Sequence, residues 1–479
     1  MIAAFVDVPS ADALARIPRA LAFRYDVLPL SLHRDELVVA LSDTADTGVL
    51  DALRRATRLR IKPHPMAREL IRERLSAAYG SEAPAPGLDK RRAAEAPAVR
   101  SVDGMFERAI TAHASDIHVE PGAAGGTIRL RVDGILAAPQ TVAPDVYNAL
   151  VSRIKLLAGM DIADKRQPQD GRLSIPLEGR EVDARVASMP TIDGEKLVIR
   201  LLDHHAQTCD ITALGMPPQM LADYRRLLRS PWGFIVVTGP TGSGKTTTLY
   251  ASLADLDTAS NNVCSVEDPV EMRVPGVTQV GVNPRAGVTF ESALRGFMRQ
   301  DPNVIMVGEM RDAQTAAVAI AASLAGQLVF TTLHSNDAPR TIERLMGLGV
   351  ARQSLAAGLT AVLAQRLVRR LCERCRGVAP IPAEIKAHFA VADRTWSVPV
   401  GCPACAQTGY CGRVGVYEML VVDDALRDTI GAGGSGVALA AAAASGGYRP
   451  MSEDGFAKVQ SGATSFAELL RVVAWRGPG

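Results

Sequence analysis

The chain has 479 residues, enough for roughly three domains of average size, and its 53 basic against 51 acidic residues leave a formal charge of +2. That balance excludes the global basic field of a non-specific nucleic-acid binder and the acidic excess of a disordered tail. A composition of 47% hydrophobic and 22% charged residues is that of a folded globular protein, and 4% aromatics argue against an RNA-stacking surface.

Residues 1–80 hold a short helical pattern, an apolar strand over 36–41, a loop and helix over 43–59 and a charged helix over 67–79. They read as a small α/β or α+β module. Residues 81–100 turn to Ala, Pro, Glu, Lys and Arg with no periodic apolar face, the composition of a linker. Residues 101–204 alternate strand-like runs (127–132, 182–187, 196–201) with helices such as 146–157 and form a second α+β domain. From 205 to 365 the order is helix, apolar strand 234–238, glycine-rich turn, helix, strand 262–266, which is the order of a parallel α/β sheet with its ligand at the strand ends. Residues 366–415 carry a cysteine cluster. A helical C-terminal region over 416–479 includes a Gly, Ala and Ser-rich stretch, 431–447, that reads as part helix and part flexible link.

No run reaches the ~18 uncharged apolar residues of a membrane span. The nearest, 313–333, is broken by Gln314, Thr315, Ser323, Gln327, Thr331 and Thr332 and reads as a buried helix followed by a strand. The first eight residues carry Asp7 and no basic residue ahead of their apolar stretch, unlike a signal peptide. A cytoplasmic chain, in which disulfides are rare, is the expectation.

Gly239, Pro240, Thr241, Gly242, Ser243, Gly244, Lys245 and Thr246 fit G-x-x-x-x-G-K-[ST] between an apolar strand and a helix that opens with Thr247. In that context the glycines let backbone N–H groups turn toward phosphate oxygens, and the helix N-terminus adds positive potential. Lys245 is placed to reach the β and γ phosphates, and the Thr246 hydroxyl to ligate Mg²⁺. A second buried strand, 304–307, leads to Gly308 and Glu309, with glycine where a metal-binding Asp is common. Glu309 is left to orient or deprotonate the attacking water, or to hold Mg²⁺ through its waters. Strand 262–266 ends in Glu267, Asp268 and, after Pro269 and Val270, Glu271: a solvated turn, or groups that set water and metal. Strand 328–333 ends at His334, which is either structural or placed to sense the γ-phosphate.

Cys372 and Cys375, then Cys402 and Cys405, are two C-x-x-C knuckles with 26 residues between them. Each knuckle offers two sulfurs from one tight turn, the pattern of a closed, structural Zn²⁺ site, with redox chemistry as the alternative. Cys411 is a spare beside the second knuckle. Cys209 and Cys264 read as ordinary buried residues.

In this order the segments resemble the secretion ATPase superfamily that powers type II secretion and type IV pili. Residues 239–246 are similar to its Walker A, 267–271 to its aspartate box, 308–312 to its Walker B and 332–336 to its histidine box. Upstream, 114–121, 166–172 and 194–195 match as well, so the resemblance covers roughly 114–424. It implies an α/β, RecA-like P-loop core preceded by a PAS-like α+β domain, a small N-terminal docking module and a tetracysteine zinc-binding insertion. It also implies a homo-hexamer that uses ATP, Mg²⁺ and Zn²⁺ and no nucleic acid. Arg185 and Arg200 match the arginines with which the preceding domain touches the γ-phosphate, and Arg295, Arg299, Arg311 and Arg413 lie where the family has interface or coupling arginines. Glu309, Glu271, Glu267 and His334 become the catalytic candidates. One departure is Gln327, where the family usually carries an earlier histidine, which puts any role of that histidine in hydrolysis in doubt.

The tetracysteine, with 414–418 after it, resembles the assembly and secretion branch. The single N-terminal module is similar to the one that docks a type II secretion motor on the cytoplasmic domain of an inner-membrane (L-type) protein, beside a polytopic (F-type) platform protein. The expectation is therefore a cytoplasmic motor held at the inner membrane that drives pseudopilus assembly and protein export. A pilus assembly motor, a nucleotide-gated scaffold with little turnover and a DNA-translocating hexamer are the competing readings.

Overall fold

The computed structural model describes residues 9–18, 21–22, 25–42, 47–57, 59–79, 101–177, 180–202, 210–381 and 395–473. The linker expected over 81–100 and Cys209 lie outside the described residues. The chain forms two compact units, residues 1–98 and 99–479.

In the first unit β1 (Leu28–His33) and β2 (Glu36–Leu41) form an antiparallel hairpin, and β3 (Arg60–Pro65) pairs with β2 in parallel. A parallel neighbour needs a crossover, supplied by the helix Thr47–Thr57. β2 is central and buried at five of six positions, which is why its sequence is continuously apolar rather than alternating. The helix Arg68–Tyr79 puts Ile71 and Leu75 into the same core, and the Tyr79 hydroxyl lies within hydrogen-bond distance of the carbonyls of Leu14 and Ile17.

The second unit opens with a helix over 101–111, followed by an antiparallel sheet. Its strands are β4 (Ala114–Gly122), β5 (Gly125–Val132), β6 (Ile135–Leu136), β7 (Gln140–Val142), β8 (Gln169–Leu177), β9 (Arg180–Thr191) and β10 (Gly194–Leu202), in the order 6-5-4-10-9-8 with β7 also on β5. Alternate residues of these strands, Ile117, Val119, Val182, Ala184, Val186, Leu197 and Ile199, are buried with Val102, Phe106, Leu150 and Ile154 of the helices in one core. Glu195, from the matched 194–195 pair, is buried in an ion pair with Lys155 at 2.6 Å.

The opposite face is polar, and its register sets one row of charges. Arg131, Asp116, Arg200, Arg185 and Arg172 stand directly across from one another on β5, β4, β10, β9 and β8. Directly opposed residues of antiparallel strands share a face, so four guanidinium groups and one carboxylate line up across it.

The last sheet holds β11 (Gly233–Thr238), β12 (Val263–Glu267), β13 (Val277–Gly281), β14 (Val304–Val307), β15 (Leu328–Leu333), β16 (Leu359–Leu371) and β19 (Tyr410–Val421) in the order 13-12-14-15-11-16-19. Every pair is parallel except β16 with β19. Helices cover both faces, so β11, β12, β14 and β15 are buried throughout and read as continuous apolar runs. The run over 313–333 resolves into the helix Ala313–Leu324 and β15, as its composition predicts. Parallel order brings the C-terminal ends of β11, β12, β14 and β15 to one edge, and with them the four segments 239–246, 267–271, 308–309 and 334–336.

β16 and β19 form a long antiparallel pair that runs through positions 365/366 and 415/416. The cysteine knuckles sit at its tip, beside the small pair β17 (Gly377–Pro380) and β18 (Thr395–Val398). The stretch 431–447 contributes the helix Gly436–Ser445. Among the described residues no helix is long and apolar enough to cross a membrane.

Candidate nucleotide site and metal centre

The loop after β11 is shaped by its glycines. Gly239 has φ +151°, and a Cβ there would lie 2.5 Å from the Gln365 carbonyl; Gly244 has φ +87° and backs onto the Gln365 amide. Lys245 is buried, and its Nζ donates to the carbonyls of Gly239 (2.8 Å) and Pro240 (3.0 Å). Burial lowers its pKa to about 8. The Ser243 hydroxyl is buried with no hydrogen-bond partner among the described residues, while Thr241, Gly242 and Thr246 are exposed and Thr247 is half-buried. A lysine turned back on its own loop and an orphaned hydroxyl are groups that phosphate oxygens fit. Thr246, at the first turn of the helix Lys245–Asp255, has the donor chemistry for Mg²⁺.

Glu309 follows β14 and is held from two sides. His334 Nε2 lies 3.2 Å from its Oε1, and Arg311 donates to its Oε2 from Nε (2.9 Å) and Nη2 (2.8 Å). Arg311 also lies 3.5 Å from Asp268. The backbone is fixed across the strands: the Met310 N–H donates to the Thr332 carbonyl and the Thr332 hydroxyl to the Gly308 carbonyl. A Cβ at Gly308 would lie 3.3 Å from the Val266 carbonyl, so the glycine found where an aspartate is common lets β14 and β12 close together. An open cleft of about 730 Å³ is lined by Thr241 of the loop and by His334 and Asn336.

The other acidic candidates have different surroundings. Glu267 is buried and both its oxygens are taken, one by Tyr250 and the other by Ser265 (2.6 Å) and Gln279 (3.0 Å). Glu271 is half-buried and holds Arg185 Nη2 at 3.2 Å, joining the polar face of the antiparallel sheet to the core. Arg200, across from Arg185, stays in its own sheet on Asp116 at 3.1 Å. Arg295 pairs with Glu291 on its own helix, Arg299 donates to the Arg295 carbonyl, and Arg413 lies 3.5 Å from Asp133. The structure thus gathers Lys245, Glu309, His334 and Arg311 at one sheet edge, with Arg185 tied to that edge through Glu271, and leaves Arg295, Arg299 and Arg413 elsewhere. Gln327 precedes β15, and the strand's rise of ~3.3 Å per residue puts it roughly 23 Å from His334. It does not reach Glu309.

Sequence reading gave no role to the residues that hold these groups. Gln365 donates to the Ser243 carbonyl (2.7 Å) and accepts from the Thr248 hydroxyl (2.8 Å), and Arg366 reaches the Asn336 carbonyl (2.7 Å). Glu418 accepts from the first N–H groups of two helices, Ala338 and Met451. None lies in a phosphate or metal motif; the one available signal was a polar residue inside an apolar strand.

At the hairpin tip the four sulfurs of Cys372, Cys375, Cys402 and Cys405 lie within 4.8 Å of one another, with three separations of 3.7–3.9 Å. A tetrahedron with metal–sulfur bonds of ~2.3 Å has edges of about 3.8 Å, whereas a disulfide needs ~2 Å. The donor set and its spacing fit Zn²⁺. Against burial, which raises it, the N–H groups of Cys402 and Gly409 bring the Cys405 thiol down to about 6, toward the thiolate that a metal takes. Cys411 is exposed and outside the cluster, and Cys264 is buried as expected.

With this geometry in place, comparison with known proteins decides the family. The type II/IV secretion system protein family matches residues 91–471, and the MshEN domain matches residues 2–85. The chain belongs to the type II/IV secretion system protein family. The type II secretion system protein HxcR of Pseudomonas aeruginosa is 47% identical over 79% of this chain and 77% of its own length. The type IV pilus assembly ATPase PilB of Myxococcus xanthus is 36% identical over 96% of this chain and 86% of its own. The crystal structure of the pilus retraction motor PilT with bound ADP superposes with a TM-score of 0.51 at 25% identity, covering 77% of this chain and 96% of that one. Within this family the α/β core with its phosphate loop is that of an ATP-hydrolysing enzyme.

Proposed function

We propose that the chain is the ATP-driven motor of a type II secretion machine, working as a homo-hexamer at the cytoplasmic face of the inner membrane to drive pseudopilus assembly and protein export. The observation that carries the chemistry is Glu309, fixed between His334 and Arg311 at the strand edge that also presents Lys245. The identity to HxcR supports the choice of machine.

ATP supplies the γ-phosphoryl group that is transferred to water. Lys245 exchanges the carbonyls of Gly239 and Pro240 for phosphate oxygens, and the Thr246 hydroxyl holds Mg²⁺. Glu309 aligns the attacking water and accepts its proton, with Arg311 and His334 fixing the carboxylate. Glu267, whose oxygens are both occupied, supports the site without touching substrate, and Glu271 acts through Arg185. Arg185 and Arg200 stand on the preceding domain, where a cation drawn to the γ-phosphate links closure to hydrolysis. Arg295, Arg299 and Arg413 serve contacts between subunits. Cys372, Cys375, Cys402 and Cys405 hold a structural Zn²⁺ that stabilises the hairpin tip. The N-terminal module docks on the cytoplasmic domain of an L-type inner-membrane protein, with the F-type platform protein as the element driven.

A pilus assembly motor is the second reading, favoured by one observation: PilB aligns with 96% of this chain and HxcR with 79%. The test is capture from bacterial membranes with the full chain as bait. Recovery of type II secretion inner-membrane proteins supports the first reading, recovery of pilus platform proteins the second. Absence of ATP hydrolysis by the assembled hexamer would overturn both in favour of a scaffold.

A further inference from the structure

Tyr250 lies on the buried face of the helix Lys245–Asp255, about one and a half turns after Lys245. Its hydroxyl donates to Glu267 Oε2 and accepts from the N–H groups of Glu271 (2.9 Å) and Met272 (3.2 Å). A phenol oxygen has one proton and two lone pairs, so its capacity is fully used. Burial, then the bond to Glu267, push its pKa up, which keeps it a donor. The same segment is braced from the other side: Gln279 donates to Glu267 (3.0 Å) and to the Met272 carbonyl (2.9 Å), and accepts from the Val274 N–H (2.8 Å).

A core tyrosine chosen for bulk alone needs only one partner for its hydroxyl. This one joins three points of a single segment, and within that segment Glu271 holds Arg185 of the antiparallel sheet at 3.2 Å. Lys245 and Tyr250 share one helix. Displacement of the helix therefore reaches the backbone of 271–272 through one oxygen atom.

We propose that Tyr250 is a positioning residue that couples the phosphate-binding helix to Arg185 through the Glu271 segment. The proposal rests on the ATPase reading above. When the phosphate loop is filled, the hydroxyl carries any shift of the helix to Glu271 and so sets whether Glu271 keeps Arg185 or gives it up.

The test is a double-mutant cycle on the full chain, reading phosphate release for kcat and KM and the affinity for a fluorescent ADP. Tyr250→Phe keeps the ring and deletes the oxygen. It is expected to lower kcat by about tenfold, the loss of one charge-assisted hydrogen bond, with ADP affinity within about twofold of wild type. In an Arg185→Ala background the same change is expected to cost less than about twofold, because residues that act through one another are not additive. Full independence of the two losses, or a Tyr250→Phe chain with unchanged kcat, would overturn the proposal while leaving the ATPase reading intact. A wild-type chain with no turnover would overturn both. If Tyr250→Phe does not fold, Glu267→Gln, which weakens the same bond from its other end, is put through the same cycle with the same expected non-additivity.

Discussion

His334 Nε2 stands 3.2 Å from Glu309 Oε1, and the two residues reach that distance from different strands, β15 and β14, which lie side by side in parallel. Strand pairing therefore sets the distance, and Arg311 takes the other oxygen of the same carboxylate at 2.8 Å. A carboxylate held this way has little freedom to lose when water is to be aligned.

The first prediction concerns that carboxylate. Glu309→Gln keeps the size of the side chain but removes its basicity. Nucleotide binding should be preserved and kcat should fall by about 10²–10⁴, the usual worth of a general base. Phosphate release by the full chain, beside ADP affinity, decides it. Normal turnover would remove Glu309 from the chemistry.

Lys245→Ala tests the loop itself. The lysine is the buried cation of the loop, bonded to two of its own carbonyls. Its loss should weaken ADP and ATP binding by at least about tenfold, the worth of one charge-assisted hydrogen bond. Titration with a fluorescent nucleotide measures this. Unchanged affinity would place the phosphates elsewhere.

What the sequence made legible and what it did not differ in kind. Lys245, Glu309 and His334 lie just beyond continuous apolar strands, and parallel order alone brings such ends to one edge, so chemistry and fold were readable together. Gln365 was not. It sits within β16 in a run of apolar and arginine residues, and only the pairing of β16 beside β11 turns its amide toward Ser243 and Thr248. The Arg200–Asp116 pair is of the same kind, set by the pairing of β10 with β4 rather than by any local pattern. Long-range partners depend on register, which local patterns do not encode.

Gln365 gives a prediction of its own. Gln365→Leu is similar in volume but leaves the Ser243 carbonyl without its partner in the core and leaves the Thr248 hydroxyl with Tyr417 alone. The unsatisfied carbonyl should cost about 1–3 kcal/mol, shown as a lower unfolding midpoint and a higher KM for ATP. A variant with KM and midpoint both unchanged would mean the loop holds its shape without that amide.

Glu468 ties the C-terminal helix to β16. It is buried, accepts from the Arg369 N–H and guanidinium, and takes two bonds from Arg471. Burial raises its pKa, but the bonds from Arg471 and Arg369 outweigh it and hold the carboxyl at about 2, below its ordinary 4.5. A depressed carboxyl stabilises the fold at pH values above about 4.5, and that contribution, on the order of 3 kcal/mol, is lost as pH falls toward 2. Glu468→Gln should therefore lower the unfolding midpoint at pH 7, and the gap to wild type should narrow steadily below about pH 4.5. A gap that stays constant from pH 7 to pH 3 would show that the ionised carboxylate is not what holds the helix.

The metal centre is tested by removing two of its ligands. Among the described residues of the hairpin tip, Cys372 and Cys405 are themselves buried, while Val378 and Val400 are exposed. Beyond Trp396, which stacks on Phe466, and the buried Tyr410 and Ile381, the tip has little apolar packing, so metal-binding free energy becomes folding free energy there. Wild-type protein should carry about one zinc per chain by elemental analysis. Cys372→Ser with Cys375→Ser should carry none, and should become sensitive to proteolysis between β16 and β19 while the phosphate loop, which packs on the middle of β16 at Gln365, still binds ADP. Full metal retention by the double variant would rule out the four-sulfur site. Loss of metal together with loss of ADP binding would show that the tip supports the nucleotide core through the shared strand β16, a stronger role than local stapling.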